Sequence, residues 1–181
     1  MYPKETILMD VNETGVSQAF LDFSRRKLIE LEWPRLRDCV APLTDEQVWW
    51  RPNPASNSIG NLLLHLNGNV GQWLVASFNG AEDLRDRPAE FDAPQQLSAS
   101  VLLEKLDATL HAAGEVLARL TAKELLASYR IQGNTVSGLY AVYQVVEHFS
   151  MHYGQILYIV KSLGGEDLGF YRELNKTGQA D

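Results

Sequence analysis

His148 and His152 stand four residues apart in the stretch 140–163, YAVYQVVEHFSMHYGQILYIVKSL. On a helix that spacing stacks two imidazoles one turn apart on the same face, where both can reach one divalent metal ion. The stretch is apolar almost all the way round, the mark of a helix buried within a bundle. Gln144, His148, Met151 and Gln155 fall on one stripe of it, with His152 at the stripe's edge. The pair is not the H-E-x-x-H of zinc proteases, because Glu147 precedes His148 and points a quarter-turn or more away. Taken alone, two histidines at this spacing are more often hydrogen-bonded core residues than metal ligands.

A third imidazole strengthens the metal reading. The stretch 59–78 is also apolar all round, apart from a stripe of Asn61, His65, Gly68 and Gln72. Two buried helices of a bundle face each other, and bundles build metal sites from side chains on facing helices. Three neutral imidazoles with one or two waters make an open site suited to Zn²⁺ or Ni²⁺. His111 lies on an amphipathic stretch outside any such stripe and reads as surface.

The remaining elements must bury and aim these two helices. Residues 1–15 form an arm ending in Asn-Glu-Thr-Gly. Phe20, Phe23, Leu28, Leu31, Leu36 and Val40 then recur at helical spacing over 16–40, with a kink expected at Trp33-Pro34. Thr44 and Gln47 make a capping box for a short helix, and Ser58 caps the helix over 59–78, which Asn79-Gly80 ends. Residues 81–97 are charged, contain two prolines and read as a long loop. A third long helix covers 98–120, and Thr121 with Glu124 starts a short turn. Residues 129–134 are extended or turn-like, no strand run of convincing length is present, and Thr135 caps the last helix. After 163 a tail, 164–181, packs Phe170 and Tyr171 back on the bundle. The fold class is all-α, a four-helix bundle in a single domain spanning 1–181.

With 181 residues, 45% of them hydrophobic and 22% charged, the chain reads as an ordinary globular domain. It has no uninterrupted apolar run long enough for a membrane span. The N-terminus lacks the pattern of a secretory signal. A single cysteine, Cys39, excludes an internal disulfide, fits a reducing cytoplasm, and has no accompanying nucleophile or ligand motif. A net charge of −7 with scattered basic residues argues against nucleic acid.

Three segments together carry a family resemblance: Ser58-Ile-Gly-Asn-Leu-Leu-Leu-His65-Leu-Asn-Gly-Asn, Arg85-Asp-Arg-Pro-Ala-Glu-Phe91, and Val146-Glu-His148-Phe-Ser-Met-His152-Tyr-Gly-Gln-Ile. The chain resembles the DinB/YfiT-like superfamily from its first helix to about Leu163. The resemblance implies a four-helix bundle with a divalent metal held by three histidines, matched here by His65, His148 and His152. It also implies frequent homodimers. Characterised members include S-transferases that use low-molecular-weight thiols and a thiol-dependent isomerase.

Around those three positions, Asn61, Gln72, Gln144 and Gln155 lie one or two turns away. They suit either hydrogen bonds to the ligands' other ring nitrogens or ordinary amide bonds between helices. Gly68 and Gly154 sit mid-helix at ~1 kcal/mol each relative to alanine, as close helix approach or room for a ligand would explain. Arg85 and Arg87 in the long loop suit clamps for a substrate carboxylate, or a structural Arg–Glu pair with Glu90. Trp49, Trp50, Trp73 and Tyr143 read as core aromatics. The functional expectation is a metal-dependent S-transferase acting on a low-molecular-weight thiol. The alternatives are a metal-dependent hydrolase, for which no general base is evident, and a non-catalytic metal-binding protein.

Overall fold

The structure is a computed structural model that describes residues 13–92, 97–164 and 167–170. Four long helices dominate it. Helix α1 runs over 13–40, α3 over 59–79, α5 over Ala99–Arg119 and α7 over Gly138–Gly164. Short helices α2 (Asp45–Trp49), α4 (Arg87–Asp92) and α6 (Ala122–Leu126) lie between them. Each of α1 and α3 packs against both α5 and α7. The shared core contains Leu28, Leu36, Leu62, Leu66, Leu106, Leu110 and Phe149, each at most 1% exposed. Burying side chains of this size contributes roughly 1.5–3 kcal/mol each.

The expected helix starts hold at three places. Thr44 and Gln47 form a capping box for α2, and Thr121 and Glu124 form one for α6. Ser58 caps α3, with Asn61 as its reciprocal partner. Gly80 leaves α3 in the left-handed conformation at φ 62°.

A π-helical segment, Arg26–Glu32, precedes Trp33-Pro34 and ends as the Trp33 N–H donates to the Leu28 carbonyl five residues back. Widening the turn there makes room for the proline ring, and the helical backbone continues through it. Helix α3 holds a second π segment, Gly71–Ala76. Residues 81–97 are not all loop, because α4 forms there. The region 128–137 is a hairpin, strand β1 (Ser128–Ile131) antiparallel to β2 (Asn134–Ser137), turned by Gln132 and Gly133 at φ 50° and 78°. Thr135 therefore pairs with Arg130 in the hairpin instead of capping α7. Ser137 takes that position, and its hydroxyl accepts from the Tyr140 N–H at 3.1 Å.

Two of the four aromatics read as core are not in it. Trp50 and Tyr143 are exposed, whereas Trp73 is buried and Trp49 is half-buried. The tail's Phe170 packs on the core, with the Arg35 guanidinium 5.1 Å from its ring centre. Tyr171 and the arm before residue 13 lie outside the described residues.

Candidate metal centre

Helices α3 and α7 cross with His65 of one facing His148 and His152 of the other. His65 Nε2 lies 3.1 Å from His148 Nε2, and His152 Nε2 lies 3.2 Å from the same atom. Each of the three residues has a ring nitrogen within 4.8 Å of those of the other two. Nitrogens on one tetrahedral ion with bonds of ~2.0–2.1 Å stand about 3.3 Å apart, so the spacing fits. His65 and His152 are buried and His148 is half-buried.

The outer nitrogens settle which way the lone pairs point. His65 Nδ1 lies 2.7 Å from Glu90 Oε2. An ionised carboxylate only accepts, so Nδ1 carries a proton, and Arg85 Nη2, 3.1 Å from it, donates to the same carboxylate. In the neutral ring Nε2 then turns its lone pair to the cluster. Gln155 Oε1 accepts from His152 Nδ1 at 2.8 Å and sets the same tautomer there. The pattern is that of ligating histidines, which donate their far N–H to an acceptor. Two lone pairs thus converge on a third nitrogen, and a single proton on His148 could bridge only one of the two gaps.

An imidazolium is not the answer, because burial first, then the facing His152 and His65, push the His148 pKa down to about 3. Burial lowers His152 as well, against the opposing effect of its bond to Gln155. His148 and His152 are therefore held neutral, and their lone pairs suit a cation. His148 Nδ1 and Gln144 Oε1, one turn apart, are each buried without a hydrogen-bond partner. With Nε2 used as a ligand, Nδ1 becomes a donor, complementary to that amide oxygen.

Glu90 is the residue that sequence reasoning did not connect to the cluster. It sits on α4 at 7% exposure, held by Arg85 Nε at 2.6 Å and Arg85 Nη2 at 2.9 Å. Burial alone would raise its pKa, but the hydrogen bonds from His65 and Arg85, with their charges, bring it below the usual carboxylate value. Gly68 makes room for this pair. A Cβ there would lie 2.0 Å from Glu90 Oε1 and 2.8 Å from Arg85 Nε. The glycine in the polar stripe of α3 was the one signal that something presses on that face.

The other named residues divide by what they touch. Arg85 faces inward on Glu90, and its Nη1 donates to Gln72 Oε1 at 2.9 Å. Gln72 also bonds Asp83 and Gln132, so it supports Arg85 and makes no bond to a histidine. Asn61 accepts from Ser58 and from Arg51, and its amide donates to the Glu90 and Phe91 carbonyls at 3.0 and 3.2 Å. It thereby ties α4 to the start of α3. Arg87 is exposed, 5.0 Å from the Phe91 ring centre. His111 is at the surface, 3.6 Å from Glu115. Cys39 is buried on the core, and burial, then Asp38, pushes its thiol pKa up.

The family described as "Protein of unknown function (DUF1572)" matches residues 15–172, nearly the whole chain. The chain belongs to the DUF1572 family. Its fold is the DinB-like one. A DinB-like protein from Bacillus cereus aligns at a TM-score of 0.60 and 18% identity, over 75% of this chain and 87% of that one. A conserved protein from Enterococcus faecalis aligns at 0.62 and 17% identity, over 86% of this chain and 99% of that one. No curated protein matches the chain. This DUF1572 chain thus joins a DinB-like bundle to a three-histidine cluster suited to a metal. No described helix is long and apolar enough to cross a membrane.

Proposed function

We propose that the protein is a metal-dependent S-transferase in which His65, His148 and His152 hold one divalent ion, zinc or nickel, and a low-molecular-weight thiol is the nucleophile. The observation that carries this is the cluster of three converging imidazoles, with the Nδ1 atoms of two of them engaged by Glu90 and Gln155. Among the described residues the cluster has three members, fewer than the four ligands that close structural zinc sites. A bound divalent ion supplies Lewis acidity at that open position and lowers the pKa of a thiol placed there.

The protein's own residues do the rest. Glu90, pinned by Arg85, keeps the His65 proton on Nδ1 and makes the ring a better donor. Gln155 does the same for His152. His148, the half-buried member of the three, is where a thiol would approach. In the transfer, the sulfur forms a bond to an electrophilic carbon, the leaving group departs with its electron pair, and the thiol proton passes to solvent.

Hydrolysis is the poorer reading because it requires a base for water. Glu90 is committed to His65 and Arg85, and Glu147 is exposed on another face of α7. A thiol needs no such base, since its free pKa of about 8.5 lies near neutrality already. The test uses cobalt-substituted protein titrated with a simple thiol. A thiolate-to-metal charge-transfer band, absent with the matching alcohol, is expected. A cobalt-loaded protein that shows no such band with any thiol tried contradicts the transferase reading.

A further inference from the structure

Beside the cluster, on the other side of Gln155, lies a cavity of about 770 Å³ between α7 and the segment 50–57. That size is in the ~300–1,000 Å³ range of small-molecule sites. We propose that this cavity binds an uncharged small molecule with a flat apolar body, such as a substituted benzene.

Three observations converge on it. The first is Gly154, in the interior of the 27-residue α7, where glycine costs ~1 kcal/mol relative to alanine. A Cβ at Gly154 would meet nothing within 4 Å, so packing in this chain gives no reason for the glycine. It lies on the cavity wall, and an occupant resting against the bare backbone supplies the reason. This separates it from Gly68, whose missing side chain is filled by Glu90.

The second is the character of the walls. Trp50, Met151 and Tyr158 line the cavity and are 40%, 45% and 75% exposed. Aromatic rings and a thioether are soft, polarisable surfaces that grip flat apolar molecules. None of the described residues lining the cavity is charged, and the polar groups are Ser56, Asn57, Gln155 and Ser162. A carboxylate or ammonium would find no counter-charge, whereas a neutral body with hydrogen-bonding substituents would find partners.

The third is connection to the chemistry. Gln155 lines the cavity and bonds His152 Nδ1 through its Oε1. One side chain therefore separates the cavity from a metal-facing histidine. A molecule seated there lies on the Nδ1 side of His152 and reaches the cluster through Gln155.

The test reads binding without turnover. The chain has three methionines, so methyl-¹³C-methionine labelling of the full-length protein gives a short spectrum with Met151 as reporter. The probe is 1,3-dinitrobenzene, which has no leaving group, beside 3,5-dinitrobenzoate, which adds a charge. A saturable shift of the Met151 methyl is expected with the neutral probe and a far weaker one with the benzoate. Gly154→Leu, which adds a better helix former pointing into open space, should keep the fold and weaken binding by about tenfold or more.

No Met151 shift up to the solubility limit, or an unchanged titration in Gly154→Leu, overturns the proposal. So does a Met151 shift that follows protein concentration, which would give the cavity to a second copy of the chain. Metal content measured on the same samples keeps the two readings apart. Metal-loaded protein that ignores the probe sinks this inference alone, and metal-free protein that binds the probe sinks the transferase reading alone.

Discussion

Helix α3 brings one histidine to the candidate metal centre and α7 brings two, and the two helices are supported in opposite ways. On α3, His65 is buried and backed by Glu90, which is backed in turn by Arg85 and Gln72. Little of that helix faces water, and even its polar Asn61, Asn69 and Gln72 are buried. On α7, His152 has one amide partner and His148 has no partner at Nδ1. Leu139, Tyr140, Tyr143, Met151 and Tyr158 of the same helix are exposed. One wall of the site is thus prebuilt and rigid, and the other borders open apolar surface. A site for a reacting molecule needs both kinds of wall, one to hold the ion and one to admit the substrate.

The sharpest way to break this contrast is to add one methyl group to each helix. Gly68→Ala puts a carbon where the Glu90–Arg85 pair sits, and overpacking of that kind costs about 1–3 kcal/mol. A lowered urea midpoint, with weaker metal retention as Glu90 is displaced, is the expected result. The matching change on α7, Gly154→Ala, meets nothing and should be the smallest effect of all. It should raise stability by up to ~1 kcal/mol through helix propensity. Equal effects from the two substitutions would mean that the two walls do not differ as described.

Between those extremes lies the support of the ligands. Glu90→Gln keeps the shape but removes the charge that holds the His65 proton, and losing such a partner lowers metal affinity about 10–100-fold. Gln155→Ala should cost less, since a neutral amide is the weaker acceptor. Competition with a chelator of known affinity reads both. An affinity unchanged in Glu90→Gln would remove Glu90 from the account.

Acidity offers another test, made on chelated protein. Free histidines titrate near 6.5, while burial and the facing rings hold His148 down to about 3 and hold His152 below its usual value. Below about pH 6.5 the unfolded chain therefore binds protons that the folded chain refuses, so stability falls with falling pH. Glu90, whose pKa is also lowered, adds to the loss once the pH drops through the carboxylate range. Urea midpoints should be highest above about pH 6.5 and decline steadily towards pH 3. A flat profile between neutrality and pH 4 would contradict the neutral, shielded state of His148 and His152.

Much of the architecture was legible because it depends on local chemistry. Thr44, Ser58 and Thr121 announce their helices through side-chain caps, and apolar periodicity gives the four long ones. The hairpin was missed because its strands are four residues each and turn on Gln132, a residue not associated with a positive φ. Helix α4 was missed because it is short and is held in place by Asn61 from another part of the chain. The histidines could be picked out because their spacing is local on α7 and their polar stripes stand out against apolar helices. Glu90 could not, since nothing in the charged stretch 82–92 distinguishes it from its neighbours before the chain folds. Hydrophobicity likewise misled at Trp50 and Tyr143, because an exposed aromatic side chain reads in the sequence the same as a buried one.

The central claim is that α3 and α7 meet around a metal ion, and metal content tests it most directly. Tag-free protein would be analysed by plasma mass spectrometry beside the His148→Ala, His152→Ala double variant. The account predicts about one equivalent of zinc or nickel in the parent and none in the variant. A parent that carries no metal and takes up neither ion when it is supplied would contradict it.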